Sequence, residues 1–142
     1  MQPQAKSFST DISRILSDKM RILAVDDDPI QNAFAVEFIS TPTVEVVTAS
    51  SGQEGLEKLR TDKFNFILLD YDMPEMTGLE FIKAVRSNPF HHDIPIIMVS
   101  GRNDVTSVDD AYAAGANFFD TKPVNWPLLA NQIGTVLRRK SD

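Results

Sequence analysis

From residue 20 onward the chain alternates short apolar runs with stretches of helical period, the pattern of a parallel sheet whose strands are joined by crossover helices. The runs are RILAV (21–25), VEVVT (44–48), FNFILL (64–69), IPIIMV (94–99) and NFFD (117–120), which predicts five strands. The third and fourth are apolar almost throughout, as strands covered on both faces are. The second is more polar and suits an edge.

The intervals carry helix punctuation. Asp28 can cap and Pro29 open a first helix, and Ser51 with Glu54, then Thr77 with Glu80, have the spacing of capping boxes. A fourth helix near 104–114 should stop at Gly115, where positive φ is free of steric cost. A fifth begins near Asn125; its Leu129, Ile133, Val136 and Leu137 recur at i, i+4, i+7 and i+8 and mark one buried face. Arg138, Arg139 and Lys140 complement the dipole at its end. Residues 1–19 stand outside the alternation as an N-terminal extension, although Phe8, Ile12, Ile15 and Leu16 repeat the same spacing and predict a short amphipathic helix. The domain proper is expected over 20–142.

Composition narrows the class. At 142 residues, with 42% hydrophobic and 24% charged residues, the chain has the size and balance of one domain that folds without staples. A net charge of −6 argues against gripping nucleic acid, which needs clustered Lys and Arg. No cysteine is present, which excludes disulfides, thiolate metal sites and Cys nucleophiles. The start, MQPQAKSFSTD, has no apolar signal core, and no run nears the roughly 20 apolar residues that span a bilayer. A cytoplasmic protein with no membrane insertion is the expectation.

In an open parallel sheet the ligand site lies beyond the carboxyl ends of the strands. After the first run stand Asp26, Asp27 and Asp28; after the third, Asp70; after the fourth, Ser100 and Gly101; after the fifth, Lys122 and Pro123. Asp28 has a cap to make and is assigned to structure. Asp26, Asp27 and Asp70 gathered together would repel one another and call for a cation. Oxygen ligands without His or Cys select a hard ion such as Mg²⁺. An aspartate beside such an ion can act as nucleophile toward phosphorus, with Lys122 neutralising phosphoryl oxygens and Ser100 donating a hydrogen bond.

Four stretches together resemble the bacterial response-regulator receiver family, best known from the chemotaxis regulator. They are ILAVDDDP, FILLDYDMPEMTG with its Met-Pro and Gly78, IIMVSG, and the Gly-Ala, aromatic and Lys-Pro elements of AAGANFFDTKPV. The likeness covers roughly residues 20–140. It implies a flavodoxin-like α/β fold, doubly wound, with strand order 2-1-3-4-5. It implies Asp70 as phosphoacceptor, Asp26 and Asp27 as Mg²⁺ ligands with the backbone carbonyl of Asp72, Ser100 and Lys122 on the phosphoryl group, and Ser100 and Phe119 as the switch pair. A cis peptide between Lys122 and Pro123 belongs to the same pattern. Phe119 departs from the Tyr that many members carry and has no hydroxyl to offer. Asp72 and Arg102 would flank the pocket, where their opposite charges can pair.

The resemblance further implies a two-component switch rather than an enzyme on an outside substrate. A histidine kinase or histidine phosphotransfer protein would supply the phosphoryl group, and an unknown downstream protein would read the surface of the fourth helix, fifth strand and fifth helix. A homodimer is compatible with this. No DNA-binding or catalytic output segment follows the fifth helix, so the chain reads as a stand-alone regulator or an excised receiver. Two rivals use the same residues. LLDYD is similar to the Asp-x-Asp of haloacid-dehalogenase-type phosphatases, but there the nucleophile sits on the first strand and the metal acids come late. A receiver-like module that is never phosphorylated would be expected to lack part of the Asp26, Asp27, Asp70, Ser100, Lys122 set. His91 and His92, adjacent in a polar loop, read as exposed, and Trp126 beside Pro127 as the anchor of a helix start.

Overall fold

The computed structural model describes residues 19–141; the expected helix around Phe8 to Leu16 lies outside them. Five strands, β1 (Met20–Val25), β2 (Val44–Ala49), β3 (Phe66–Asp70), β4 (Ile96–Ser100) and β5 (Phe118–Thr121), form one parallel sheet in the order β2-β1-β3-β4-β5. The helices α1 (Pro29–Ile39), α2 (Gly52–Thr61), α3 (Gly78–Ser87), α4 (Val105–Ala114) and α5 (Trp126–Ser141) make the crossovers and the closing segment. This is the expected flavodoxin-like arrangement, with β2 at an edge.

The sheet divides the interior by the period of its strands. Leu23, Val25, Ile67, Leu69, Ile96 and Met98 face α2, α3 and α4 and pack with Leu59, Phe81, Ile82 and Ala111. Their neighbours Ile22, Ala24, Phe66, Leu68, Ile97 and Val99 face α1 and α5 and pack with Ala35, Ile39, Leu129, Ile133 and Leu137. A register slip of one residue would exchange the two sets, so the layers fix where each strand ends. That in turn fixes which residues emerge at the carboxyl rim.

Local differences from the sequence reading have identifiable causes. Phe64 and Asn65 precede β3 rather than belonging to it. Phe64 is buried beneath the Arg21 guanidinium, 4.9 Å from its ring centroid, and the Asn65 side chain takes the Arg21 amide at 2.8 Å. Ile94 and Pro95 likewise stand before β4. Asn117 leads into β5 and bridges to β4, its Oδ1 accepting from the Ile96 amide at 2.8 Å.

The caps at Asp28 and Asp104 form, each side-chain carboxylate accepting an amide of the first turn, an interaction worth about 1 kcal/mol. The Thr77–Glu80 capping box is complete. The Ser51–Glu54 box is not. Ser51 caps α2, its hydroxyl accepting the Glu54 amide at 3.1 Å, but the Glu54 carboxylate turns to Ser50 and accepts both its amide at 2.6 Å and its hydroxyl at 2.9 Å. Gly115 ends α4 at φ 123°, as read. Trp126 anchors α5 against α1, stacked on Phe38 with ring centroids 6.3 Å apart.

Candidate functional site

Each functional candidate lies at or just past a strand end because the buried runs stop there. β1 delivers Asp26 and Asp27, β3 ends on Asp70, β4 ends on Ser100 and β5 is followed by Lys122. Carboxylate oxygens of Asp26, Asp27 and Asp70 lie within 4.8 Å of one another. Asp26 and Asp70 are buried, and Asp27 is exposed. The Lys122 ammonium sits between the two buried acids, donating to Asp26 Oδ2 at 3.2 Å and to Asp70 Oδ1 at 3.3 Å. The peptide bond from Lys122 to Pro123 is cis, in keeping with the resemblance.

Charge in this pocket is frustrated by design of position. Burial foremost, then the Asp26 charge, raises the Asp70 carboxyl from 3.8 to about 6, Lys122 opposing them only in part. Burial also raises Asp26, against the opposing pull of the Asp28 amide and Lys122. Burial works against the Lys122 ammonium, yet attraction from Asp70 and Asp26 outweighs it and holds the lysine above its ordinary value. Three carboxylates against one ammonium leave a surplus of negative charge that a divalent cation would balance. The donor set is all oxygen, which fits Mg²⁺.

Supporting residues hold the acids in place. Asp26 Oδ1 accepts the Asp28 amide at 2.9 Å, while Asp28 itself caps α1 on the Ile30 amide, the structural duty read for it. Asn32, buried in α1, donates to the carbonyls of Asp26 and Ala49 at 2.9 and 3.1 Å and so ties the ends of β1 and β2 together. The sequence reading passed over Asn32; a polar residue of weak helix propensity on the buried side of a helix was its signal. A cavity of about 20 Å³, room for one water, is lined by Asp26, Asn32, Asp70 and Trp126.

Gly78 is a second residue with a role beyond the motif. A Cβ there would run into the backbone carbonyl of Asp70 and come within 2.7 Å of Met98 Cε. Only glycine lets α3 start this close to the acid, with its amide on the Tyr71 carbonyl at 2.8 Å.

The other candidates sit nearby without joining the acid network. Ser100 is fully buried, and its hydroxyl accepts the Arg102 amide at 2.9 Å rather than touching Asp70. Phe119 is half-buried, its ring against the α2–α4 core layer. Beside it runs a groove of about 310 Å³ lined by Tyr112, Phe118, Phe119 and Val136 among others. Asp72 and Arg102 do pair across the mouth, two hydrogen bonds at 2.7 and 2.8 Å, and the Arg102 guanidinium lies 4.9 Å from the Tyr71 ring centroid. The Arg102 hydrogen bond depresses the Asp72 carboxyl. His92 is exposed in its loop, its ring bonded to the Pro89 carbonyl at 3.1 Å, and His91 is half-buried; neither approaches the acids. Arg138 bonds Thr135 at 3.3 Å in the last helix; the side chains of Arg139 and Lys140 lie outside the described ones.

Fold and site together define an α/β protein whose sheet gathers acids and a lysine at one edge, a receiver architecture. The chain belongs to the response regulator receiver domain family, whose sequence pattern matches residues 22–134. It is similar to the two-component response regulator ARR5 of Arabidopsis thaliana, with 29% identity over 87% of this chain and 74% of that one. It also matches a probable cyclic di-GMP phosphodiesterase of Vibrio cholerae, 34% identical over 84% of this chain but only 27% of the relative. Among solved structures it is similar to the Vibrio cholerae chemotaxis protein CheY4, with 32% identity, a TM-score of 0.78, and coverage of 83% of this chain and 98% of that one.

Family members are phosphoacceptor switches. They are phosphorylated on an aspartate by histidine kinases or phosphotransfer proteins and bind Mg²⁺ in an acidic pocket. The family match decides against the phosphatase alternative. Among the described residues no helix is long and apolar enough to cross a membrane.

Proposed function

We propose that Asp70 is the residue of this chain that accepts the phosphoryl group, and that the protein works as a switch in two-component signalling. The observation that carries the assignment is the position of Asp70 at the end of the central strand β3, buried, within 4.8 Å of Asp26 and Asp27 and bonded to Lys122. A carboxyl raised to about 6 is still mainly ionised at neutral pH and available as nucleophile. An Asp70 oxygen attacks the phosphorus of a phosphohistidine donor. The P–N bond breaks, its electron pair stays on the imidazole, and an acyl phosphate forms.

Asp26, Asp27, Asp70 and the Asp72 backbone carbonyl would hold the Mg²⁺, which supplies charge neutralisation to the phosphoryl oxygens. Lys122 has only to exchange a carboxylate oxygen for a phosphoryl oxygen. Ser100, released from the Arg102 amide, turns to the phosphoryl group, and Phe119 follows into the space it leaves. The surface of α4, β5 and α5 is then remodelled for a downstream protein. The receiver domain spans residues 20–142 with 1–19 as an extension, and the cytoplasm, where a cysteine-free chain is at home, is the compartment we assign.

Intact-mass spectrometry after incubation with a small-molecule phosphodonor tests the assignment. A single phosphoryl addition that needs Mg²⁺ and disappears in Asp70→Asn is expected. Unchanged addition in Asp70→Asn would overturn it.

A further inference from the structure

Ser100 is completely buried at the end of β4, so its hydroxyl needs a hydrogen-bond partner in whatever position it takes. Its main chain is fixed, the carbonyl accepting the Lys122 amide at 2.8 Å beside the pairing of Ser100 with Thr121 of β5. Only the side chain is left to turn. Its partner is the amide of Arg102, two residues on, at 2.9 Å, which closes a small serine turn at the start of the connection from β4 to α4. The hydroxyl keeps this partner only while the Arg102 backbone stays within reach.

Little packing holds that backbone. Gly101 and Arg102 are exposed, and a Cβ placed on Gly101 would meet nothing within 4 Å. What fixes the connection is the Arg102 side chain. Its Nε and Nη2 donate to Asp72 Oδ2 and Oδ1 at 2.8 and 2.7 Å, the two parallel bonds of a guanidinium–carboxylate fork. The guanidinium also lies 4.9 Å from the Tyr71 ring centroid. Both partners stand directly after Asp70, on a segment that is itself anchored: Tyr71 is buried, and its carbonyl accepts the Gly78 amide at 2.8 Å.

On the reading of Ser100 and Phe119 as the switch pair, on which the assignment rests, we propose that Arg102 is a positioning residue that latches the resting state. The fork to Asp72 keeps the Arg102 amide at the Ser100 hydroxyl, and this turn has to open before the hydroxyl can pass to a phosphoryl group. The latch joins the end of β3, which carries the acceptor, to the end of β4, which carries the switch. A phosphoryl group on Asp70 would join the same two strands through Ser100, so the two links compete. Arg102 and Asp72 are each about half exposed, and an ion pair of that kind biases an equilibrium by up to about fivefold. The latch is weak enough to be released.

The test reads the Phe119 ring resonances, identified by their absence in Phe119→Leu, in chain free of metal and phosphoryl group. Resting and phosphorylated wild type set the two ends of the scale. In resting Arg102→Ala the signal should move toward the phosphorylated end, with the switched population raised about threefold. Asp72→Ala should do the same and the double variant no more than either, because each opens one fork. In a Ser100→Ala background Arg102→Ala should move nothing. All these side chains but Ser100 are outside the core, so the latch variants keep the fold. A resting signal that ignores Arg102→Ala, in a protein whose Phe119 still responds to phosphorylation, would overturn the latch alone. Additive shifts in the double variant, or a shift that survives in Ser100→Ala, would overturn it too, since Arg102 would then act by its charge and not through Ser100. A Phe119 signal indifferent to phosphorylation in wild type would bring down the switch pair and the latch with it.

Discussion

On one side of the pocket Lys122 already holds Asp26 and Asp70 at 3.2 and 3.3 Å, with Asn32 and Gly78 supporting the backbone beneath them. On the other side Ser100 spends its hydroxyl on the Arg102 amide, and Phe119 rests half-buried beside an open groove. The charged side is assembled by the fold before any phosphoryl group arrives. The readout side is satisfied in a different arrangement and has to change. Chemistry and signal are therefore separable, and substitutions on one side should leave the other side's observable intact.

The largest effect is expected where the charged side is broken without touching a charge. Gly78→Ala forces a methyl group onto the Asp70 carbonyl and Met98, and overpacking of this kind costs about 3 kcal/mol. Thermal melting should fall by about 10 °C, and the remaining folded protein should take up phosphoryl poorly because the Asp70 backbone has moved. Unchanged melting would mean that α3 adjusts freely.

A smaller effect of opposite sign is expected for Asp70→Asn. The folded carboxyl is raised from 3.8 to about 6, so between these values the unfolded chain ionises first and stability falls as pH rises. The penalty is complete above about pH 6 and absent below about pH 4. Asparagine carries no such penalty. Without metal, Asp70→Asn should be more stable than wild type by roughly 2–3 kcal/mol at neutral pH, with the gain fading toward pH 4. Mg²⁺ at a hundredfold excess over its Kd should restore about 2.7 kcal/mol to the wild type and less to the variant. Denaturant titrations at both pH values, with chelator and with Mg²⁺, check all of this.

The smallest effect on stability is expected on the readout side. Ser100→Ala loses one hydrogen bond to the Arg102 amide, about 1 kcal/mol. Phosphoryl uptake should persist while the Phe119 ring resonances cease to respond to it. A Phe119 response equal to wild type would remove Ser100 from the switch.

Much of this was legible in the chain because the period of the strands and their termini are written in residue type. The fully buried β3 and β4 announce themselves by unbroken apolar runs, and the acids, Ser100 and Lys122 follow from where such runs stop. Strand starts were less legible. Phe64 and Ile94 are apolar because they pack beneath or beside the sheet, not because they join its ladder, and periodicity does not separate the two. Asn32 stands out in the chain as a polar residue on the buried side of a helix, but its partners, the backbone carbonyls of Asp26 and Ala49, follow from no side-chain pattern. The Ser50–Glu54 contact was misassigned by one residue because two adjacent serines offer competing donors. The Asp72–Arg102 pair follows from charge and position, but its bidentate geometry and the Arg102 guanidinium over the Tyr71 ring do not.

The most direct test of the central claim is to locate the phosphoryl group at residue level. Phosphorylated protein is reduced with borohydride, which converts the acyl phosphate to an alcohol, digested, and sequenced by tandem mass spectrometry. Conversion of Asp70 to homoserine, with Asp26, Asp27 and Asp72 intact, is the predicted result. Conversion at any of those three with Asp70 untouched would contradict the account.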